Sequence, residues 1–425
     1  MRRLSPIILL FLVPLSAAPA QDAAIPFCGT HGESSPPLLA RARVTTGESG
    51  GIYITSTGTL RILLVFASFP DDTTPHPYWP PHQPPLNMGQ FIDPDTVTRT
   101  QTAFNLTAYF NQMSRGRFHL IGDAVWVESA SPSSDYSWNG SFGRANWHVL
   151  QERVDPLVDF SRYDNWRRLG DYAHENVPDG MVDMIVMVWR TTIFPFTGEA
   201  SLGRLSSFTV DGRTVAMGFP GSYPDTAGSG VTCEYRYGDD PVTLMHTMAH
   251  ELGHWLLGAP HPYNGDLLSG KHEYWGILCS GHRTSSCANA YEREKLGWIQ
   301  VPEISPDTTL ALPDYVTTGA ALKYHPPAGD PGEYFYFENH QKLSPFDDAT
   351  LNSADRGLWI LHQEGPYADL DNLRIEPSDG DWSWNNPGTS TACFPIPLPV
   401  FARGLPAPGA GPSHRDMIPT ASSLV

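Results

Sequence analysis

Apolar residues along the chain fall into short continuous runs, separated by segments rich in proline and glycine. Residues 60–66 and 181–189 form apolar runs of strand length, which is typical of strands buried on both faces. Residues near 96–112 and 145–155, which lie between these runs, are predicted to be helical. The alternation predicts a mixed α/β (α+β) layer.

The strongest helix signal lies in residues 242–257, which contain no proline and are rich in Leu, Met and Ala. Gly258 followed by Pro260 is expected to end this helix and to turn the chain. Beyond Trp298 the pattern changes to short strands separated by turns, predicted at residues 309–312, 334–338 and 358–363. We therefore expect a β-rich region after the helix.

The first twenty residues have the pattern of a secretory signal peptide. Two arginines precede an apolar run over residues 4–15, and Ala18-Pro19-Ala20 supplies small residues for cleavage after Ala20. A membrane anchor would need roughly 20 apolar residues, and no later segment is apolar enough to span a bilayer. We expect a secreted protein without a membrane span.

The net charge of the chain limits the classes of partner that it could bind. The 425 residues include 45 acidic and 27 basic side chains, which gives a formal net charge of −18. This balance argues against binding to nucleic acid or to an anionic membrane. The chain is 40% hydrophobic, which is enough to bury a core and excludes wholesale disorder.

All five cysteines lie beyond the proposed cleavage site, where export makes disulfides feasible. Cys279 and Cys287 are close enough in sequence to close one loop, and we expect them to form a disulfide rather than to bind zinc, because no paired C-x-x-C motif is present.

The main chemical signal is His250-Glu251-x-x-His254. Two histidines at i and i+4 lie on one helical face, about one turn apart, where both can bind one zinc ion. A catalytic zinc takes three protein ligands and keeps a fourth position for water. Glu251 would then act as the general base that takes a proton from the zinc-bound water.

The third ligand is open among three candidates. His261 lies just past the glycine turn and is preferred, since imidazole is a good zinc donor. Glu273 would serve if the ligand came from a second helix, and Asp266 is the remaining alternative. His246, one turn before His250, is interpreted as a supporting or core residue, because a fourth protein ligand would close the site.

Other polar residues are weaker candidates. Tyr263 and Tyr274 are each candidates for donating a hydrogen bond to the developing oxyanion, although a surface or core role is commoner for either tyrosine. Asp179 and Asp183 are candidate calcium ligands, but two carboxylates are fewer than the six to eight oxygens that calcium takes. A turn before a strand is the favoured interpretation, and calcium is unsupported.

Residues 250–261 resemble the extended metzincin signature H-E-x-x-H-x-x-G-x-x-H, with one extra residue between His254 and Gly258. The wider sequence resembles secreted metallopeptidases of the immune inhibitor A type. The similar stretches, in order, are RILLVFASFP at 61–70, TAYFNQMSRGRFHLIG at 107–122, PDGMVD at 178–183, AYEREKLGWI at 290–299, YFYFENHQ at 334–341 and GLWILH at 357–362.

This resemblance implies a metzincin-like mixed sheet, a zinc-binding active-site helix and a β-rich C-terminal region. It also places residues 276–281 beneath the metal, where metzincins have a methionine turn, with Leu278 or Cys279 as the apolar floor. The expected division is a signal peptide (1–20), a leader or short pro-segment (21–58), a zinc metallopeptidase catalytic domain (59–300), a β-rich C-terminal region (301–385) and a partly ordered Pro/Gly-rich tail (386–425).

The leading functional hypothesis is a secreted zinc endopeptidase that acts on protein or peptide substrates with one catalytic Zn²⁺. A second hypothesis is a secreted metal-binding or structural protein that keeps the metallopeptidase fold without turnover. A third is zinc-dependent hydrolysis of a non-peptide bond.

Overall fold

The computed structural model describes residues 49–136, 142–190, 197–220, 228–258, 276–278, 287–306, 309–327, 329, 332–347, 356–364 and 372–375. Its helices are α1 (Leu106–Met113), α2 (Gly143–Val149), α3 (Pro241–Leu257), α4 (Ala290–Lys295) and α5 (Tyr315–Thr318). Its strands are β1 (Gly58–Ser68), β2 (Phe118–Glu128), β3 (Arg167–Gly170), β4 (Ala173–Glu175), β5 (Ile185–Arg190), β6 (Gly198–Glu199), β7 (Phe208–Val210), β8 (Arg213–Val215), β9 (Gly230–Tyr235), β10 (Ala321–Tyr324), β11 (Tyr334–His340), β12 (Gly357–Glu364) and β13 (Asn372–Ile375).

The main sheet has five strands in the order β2-β1-β5-β9-β6. β2, β1, β5 and β9 run parallel to one another, and β6 runs antiparallel to β9 at the edge. Two further pairs, β3-β4 and β7-β8, form small antiparallel hairpins. The mixed α/β architecture with a partly parallel sheet confirms the predicted fold class at this level.

Both faces of the main sheet are covered, which explains why its strands have continuous apolar sequences. On β1, Leu60, Ile62, Leu64 and Phe66 join a core that includes α1 and α3. The alternate residues of β1 join a second core on the opposite face, with α2. The predicted strand at 60–66 is confirmed, and the predicted strand at 181–189 begins later, at Ile185.

The helix predicted at 242–257 is confirmed as α3. It begins after Asp240, whose side chain accepts a hydrogen bond from the Thr243 amide at 2.8 Å, and Pro241 occupies the first turn. It ends at Gly258, whose φ of 108° is costly for other residues. The amides of Ile52 and Tyr53 donate to two of the last carbonyls of α3, so residues near the start of the described chain satisfy the end of this helix.

The two other predicted helices are shorter than expected. α1 begins only at Leu106, because the Asn105 side chain accepts a hydrogen bond from the Ala108 amide and caps the helix there. α2 ends at Val149 and continues as a π-helical turn over Leu150–Val154.

The C-terminal region is β-rich, as predicted, with an antiparallel sheet in the order β10-β11-β12-β13. The strands expected at 334–338 and 358–363 are confirmed as β11 and β12. The strand predicted at 309–312 is wrong: this segment has no ladder, and the Leu312 carbonyl accepts a hydrogen bond from the Asn339 side chain instead. Residues 321–324 supply the neighbouring strand, β10.

The C-terminal sheet shares a hydrophobic core with the main sheet. Tyr336, Trp359, Leu361 and Leu373 belong to the same buried cluster as the residues of α1 and α3. Within the described ranges, no helix is long and apolar enough to cross a membrane.

Candidate metal and catalytic site

Helix α3 brings His250, Glu251 and His254 together in the interior. Their exposed fractions are 3%, 0% and 0%. The ring centroids of the two histidines lie 4.9 Å apart with an interplanar angle of 88°. The i, i+4 spacing therefore places both imidazoles side by side, as predicted.

Main-chain carbonyls orient both rings. Nδ1 of His250 donates to the Ile277 carbonyl at 2.8 Å, and Nδ1 of His254 donates to the Gly258 carbonyl at 3.0 Å. A neutral imidazole that gives its Nδ1 proton to a carbonyl has its lone pair on Nε2. Nε2 is therefore the nitrogen of each ring that could bind a metal ion.

Glu251 lies against the edge strand β6. A Cβ atom added to Gly198 would lie only 2.2 Å from Oε1 of Glu251, so the carboxyl group fills the space that a side chain at position 198 would take. Gly198 pairs with Cys233 of β9. Burial, together with the nearby charge of Glu251, raises the pKa of the Cys233 thiol, so the free thiol of Cys233 stays protonated and is a poor metal ligand.

His246 is a core residue of α3, in agreement with its interpretation from sequence. It is 9% exposed, and burial lowers its pKa to about 4. Its ring is therefore neutral at physiological pH.

A short segment, residues 276–278, packs against α3 on the side of Gly253. A Cβ atom at Gly253 would lie 2.3 Å from Cγ2 of Ile277 and 3.0 Å from Cδ2 of Leu278. Glycine at this position lets residues 276–278 approach the helix, and Ile277 and Leu278 are buried there. Leu278 thus contributes an apolar contact near the two histidines.

The remaining predicted site residues lie outside the described residues. These are His261, Glu273 and Asp266, proposed as the third ligand, together with Tyr263, Tyr274 and Cys279. Across the described ranges, no group of three or more His, Cys, Asp or Glu side chains could hold a metal ion. Of the expected zinc ligands, His250 and His254 therefore lie in the described part of the chain.

Asp179 and Asp183 belong to a turn that precedes β5. The Asp183 carboxyl group accepts hydrogen bonds from the amides of Asn165 and Trp166, at 2.7 and 3.2 Å. Oδ1 of Asp179 accepts a hydrogen bond from the Met181 amide at 3.0 Å. These main-chain contacts agree with the favoured interpretation of a structural turn.

The expected disulfide between Cys279 and Cys287 is wrong, because Cys287 is a free, fully buried thiol. It lies in the core beside the charged residues Glu338, Asp347 and Arg293, and burial raises the pKa of its thiol.

Sequence reasoning missed three contributors to this site: Gly198, the Ile277 carbonyl and Glu292. Glu292 accepts hydrogen bonds from the amides of Ile277 and Leu278, at 2.8 and 3.1 Å. The spacing Asn289-x-x-Glu292 is a capping-box pattern and could have indicated a fixed carboxylate at the start of a helix. The two-residue strand β6 has no comparable signal.

A scan against protein-family models finds no match to this chain, and a search of curated proteins finds none either.

Proposed function

We propose that this chain is a secreted zinc-dependent endopeptidase of metzincin-like architecture, related to the immune inhibitor A type. The observation that carries this proposal is the pair of adjacent imidazoles on α3, each with Nδ1 directed to a carbonyl, beside the buried Glu251. Two further features support it: the antiparallel edge strand β6 beside Glu251, and the apolar segment 276–278 against the ligand helix.

The donor set fits zinc. Nε2 of His250 and Nε2 of His254 would supply two neutral nitrogen ligands, and imidazole is a preferred zinc donor. His261 is proposed as the third ligand, with Glu273 and Asp266 as alternatives. When bound, zinc supplies Lewis-acid activation of water and of the scissile carbonyl.

Glu251 is proposed to accept the proton of the attacking water and to return it to the leaving amine. Its contact with Gly198 places this carboxyl group next to the backbone of the edge strand. An extended peptide paired along β6 would bring its scissile bond close to Glu251, because edge strands offer main-chain hydrogen bonds to such substrates.

The decisive experiment replaces Glu251 and measures metal and activity separately. Glu251→Gln should keep bound zinc, because the imidazole donors are intact, and should lower the rate of casein hydrolysis by about 10²–10⁴-fold, which is the usual effect of a general base. Metal content is measured by atomic emission. Glu152→Gln, on the opposite face of the sheet, is the control and should keep full activity.

Casein hydrolysis by Glu251→Gln at the wild-type rate would refute the mechanism. The same metal analysis of His261→Ala and Glu273→Ala identifies the third ligand as the residue whose loss empties the site.

A second candidate function is a secreted metal-binding or structural protein without turnover. The near-complete burial of His250, Glu251 and His254 favours it, because a catalytic site must admit substrate and water. The presence of Glu251 counts against it, since binding alone does not need a base. A wild-type protein that holds zinc but cleaves neither casein nor a panel of non-peptide amides would establish this alternative.

A further inference from the structure

Residues 276–278 control the orientation of His250. The Ile277 carbonyl accepts the hydrogen bond of Nδ1 of His250 at 2.8 Å. The Ile277 side chain packs directly on Gly253, which lies on the same helix as His250. A shift of this segment would therefore remove the acceptor that fixes the tautomer and the rotation of the His250 ring.

Glu292 holds this segment in place. Its two carboxylate oxygens accept hydrogen bonds from the amides of Ile277 at 2.8 Å, Leu278 at 3.1 Å and Asn289 at 3.0 Å. Glu292 is fully buried. A buried carboxylate with three main-chain donors is strongly localised, because each lost donor leaves part of the charge without a partner.

Helix α4 anchors Glu292 to the C-terminal sheet. Glu292 occupies the third position of α4 in a capping box with Asn289. The Ala290 amide, in the first turn of the same helix, donates to the carboxylate of Glu338 on β11. His340 in turn contacts Glu338 at 2.9 Å and Asp347 at 2.8 Å. Hydrogen bonds, joined through the main chain of α4 and of Ile277, thus link β11 to His250.

We propose that Glu292 is a positioning residue for the metal site, acting on His250 through the Ile277 main chain. This inference rests on the proposed function, because it assigns the orientation of His250 a role in metal binding. It also makes one contact of the C-terminal sheet, the hydrogen bond from the Ala290 amide to Glu338, part of the support of the site. Partners that orient metal-binding histidines typically contribute about 10–100-fold to metal affinity.

The experiment compares the full chain with Glu292→Gln. Glutamine keeps the size of the side chain but replaces one acceptor oxygen with an NH₂ group, which would face a main-chain amide. We expect zinc to bind about 10–100-fold more weakly in competition with a chelator. We also expect the visible absorption bands of the Co²⁺-substituted protein to change. Both measurements are made well below the unfolding temperature.

Glu294→Gln is the matched control. Glu294 lies on the same helix and contacts Lys323 and Tyr336, each at 2.8 Å. Its loss weakens the packing of α4 on the C-terminal sheet but removes no hydrogen bond to residues 276–278. We expect it to lower the unfolding temperature and to leave zinc affinity and the Co²⁺ spectrum unchanged.

The outcomes separate the two proposals. If the wild type binds zinc and Glu292→Gln binds it with equal affinity and an unchanged Co²⁺ spectrum, the positioning role is refuted and the proposed function stands. If the wild type binds no zinc, the proposed function fails and the positioning role fails with it. If Glu292→Gln does not fold, Glu292→Asp replaces it. Its shorter carboxylate cannot reach both amides of residues 277 and 278, and we expect the same loss.

Discussion

The carboxyl group of Asp183 shows how burial decides the charge of a single residue. Main-chain amides of Asn165 and Trp166 donate to it and favour the charged form, but burial outweighs them and raises its pKa to about 8. Between about pH 4, where the unfolded group ionises, and pH 8, the folded protein keeps a proton that the unfolded chain has lost. The unfolding free energy therefore falls as pH rises through this window.

Asp183→Asn should remove this fall of the unfolding free energy with pH. The amide oxygen can still accept from both main-chain amides, and no charge is buried. We expect stabilisation by about 2 kcal/mol at pH 8, less than the full pKa shift implies because water partly screens the carboxyl group, and a smaller gain toward pH 4. Thermal unfolding of both proteins at several pH values measures the difference.

Asp159→Asn provides the comparison for this experiment. Asp159 also accepts a hydrogen bond from a main-chain amide, that of Ser161, but it is exposed and its pKa is lowered chiefly by its hydrogen bonds to Ser161. This variant should not raise the unfolding temperature. A fall in stability for Asp183→Asn at about pH 6, where a pKa of about 8 keeps the folded group protonated, would contradict the argument and would mean that Asp183 is charged in the folded protein.

At the scale of residues, the sequence predicted the chemical groups but not their supports. His250, Glu251 and His254 were recognisable because helical spacing alone brings them together. The Ile277 carbonyl lies 27 positions from His250 and belongs to the main chain, so no side-chain pattern marks it. Contacts of this kind depend on how distant segments pack.

A substitution in the edge strand β6 tests whether the contact of this strand with Glu251 matters for activity. Gly198→Ala would place a Cβ atom 2.2 Å from Oε1 of Glu251. The added atom would also lie 2.7 Å from both Cγ and Cδ of Glu251, so the whole side chain, which is fully buried, must shift. A displacement of about 1 Å at a catalytic group can lower the rate by about 10²-fold. We therefore expect kcat, measured well below the unfolding temperature, to fall about 10–100-fold with zinc content close to that of the wild type. Overpacking should also lower the unfolding temperature.

Gly89→Ala is the matched control for this substitution. An added Cβ atom at Gly89 meets nothing within 4 Å, so this variant should keep its full activity. Unchanged kcat in Gly198→Ala would show that Glu251 does not need its present position, and the role of β6 in the site would have to be abandoned.

Elements with a long, regular signal were predictable and short ones were not. α3 has a proline-free apolar sequence with a glycine at its end, and β1 has an unbroken apolar run, so both were placed closely. β6 has two residues and no periodicity. The incorrect strand at 309–312 has apolar residues of the right type but, among the residues that the structure describes, no neighbouring strand completes its hydrogen bonds.

Across the described part of the molecule, the C-terminal sheet and α3 are stabilised as one unit. They share a hydrophobic core, and a buried ionic cluster of β11 lies beside α4. His340 is fully buried between Glu338 and Asp347. Burial alone would lower its pKa, but the hydrogen bonds to Asp347 and Glu338 outweigh this effect, and the pKa of His340 is raised. Other charged groups of this part of the core include Lys342, 4.0 Å from Asp347, and Arg293 and Glu292 of α4.

This cluster predicts how the stability of the whole molecule depends on pH. The contribution of His340 is fully present below about pH 6.5, where the unfolded histidine is also protonated, and is lost as pH rises toward the folded pKa. Each proton released on unfolding lowers the unfolding free energy by about 1.4 kcal/mol per pH unit. The unfolding temperature of the wild type should therefore fall more steeply above pH 6.5 than that of His340→Gln, which has no proton to lose at this position.

If the variant does not fold, the side-chain NMR signals of isotopically labelled histidine measure the pKa of His340 directly. A His340 signal that titrates below pH 6.5 in the wild type would contradict this assignment and would mean that His340 is neutral between Glu338 and Asp347 at physiological pH.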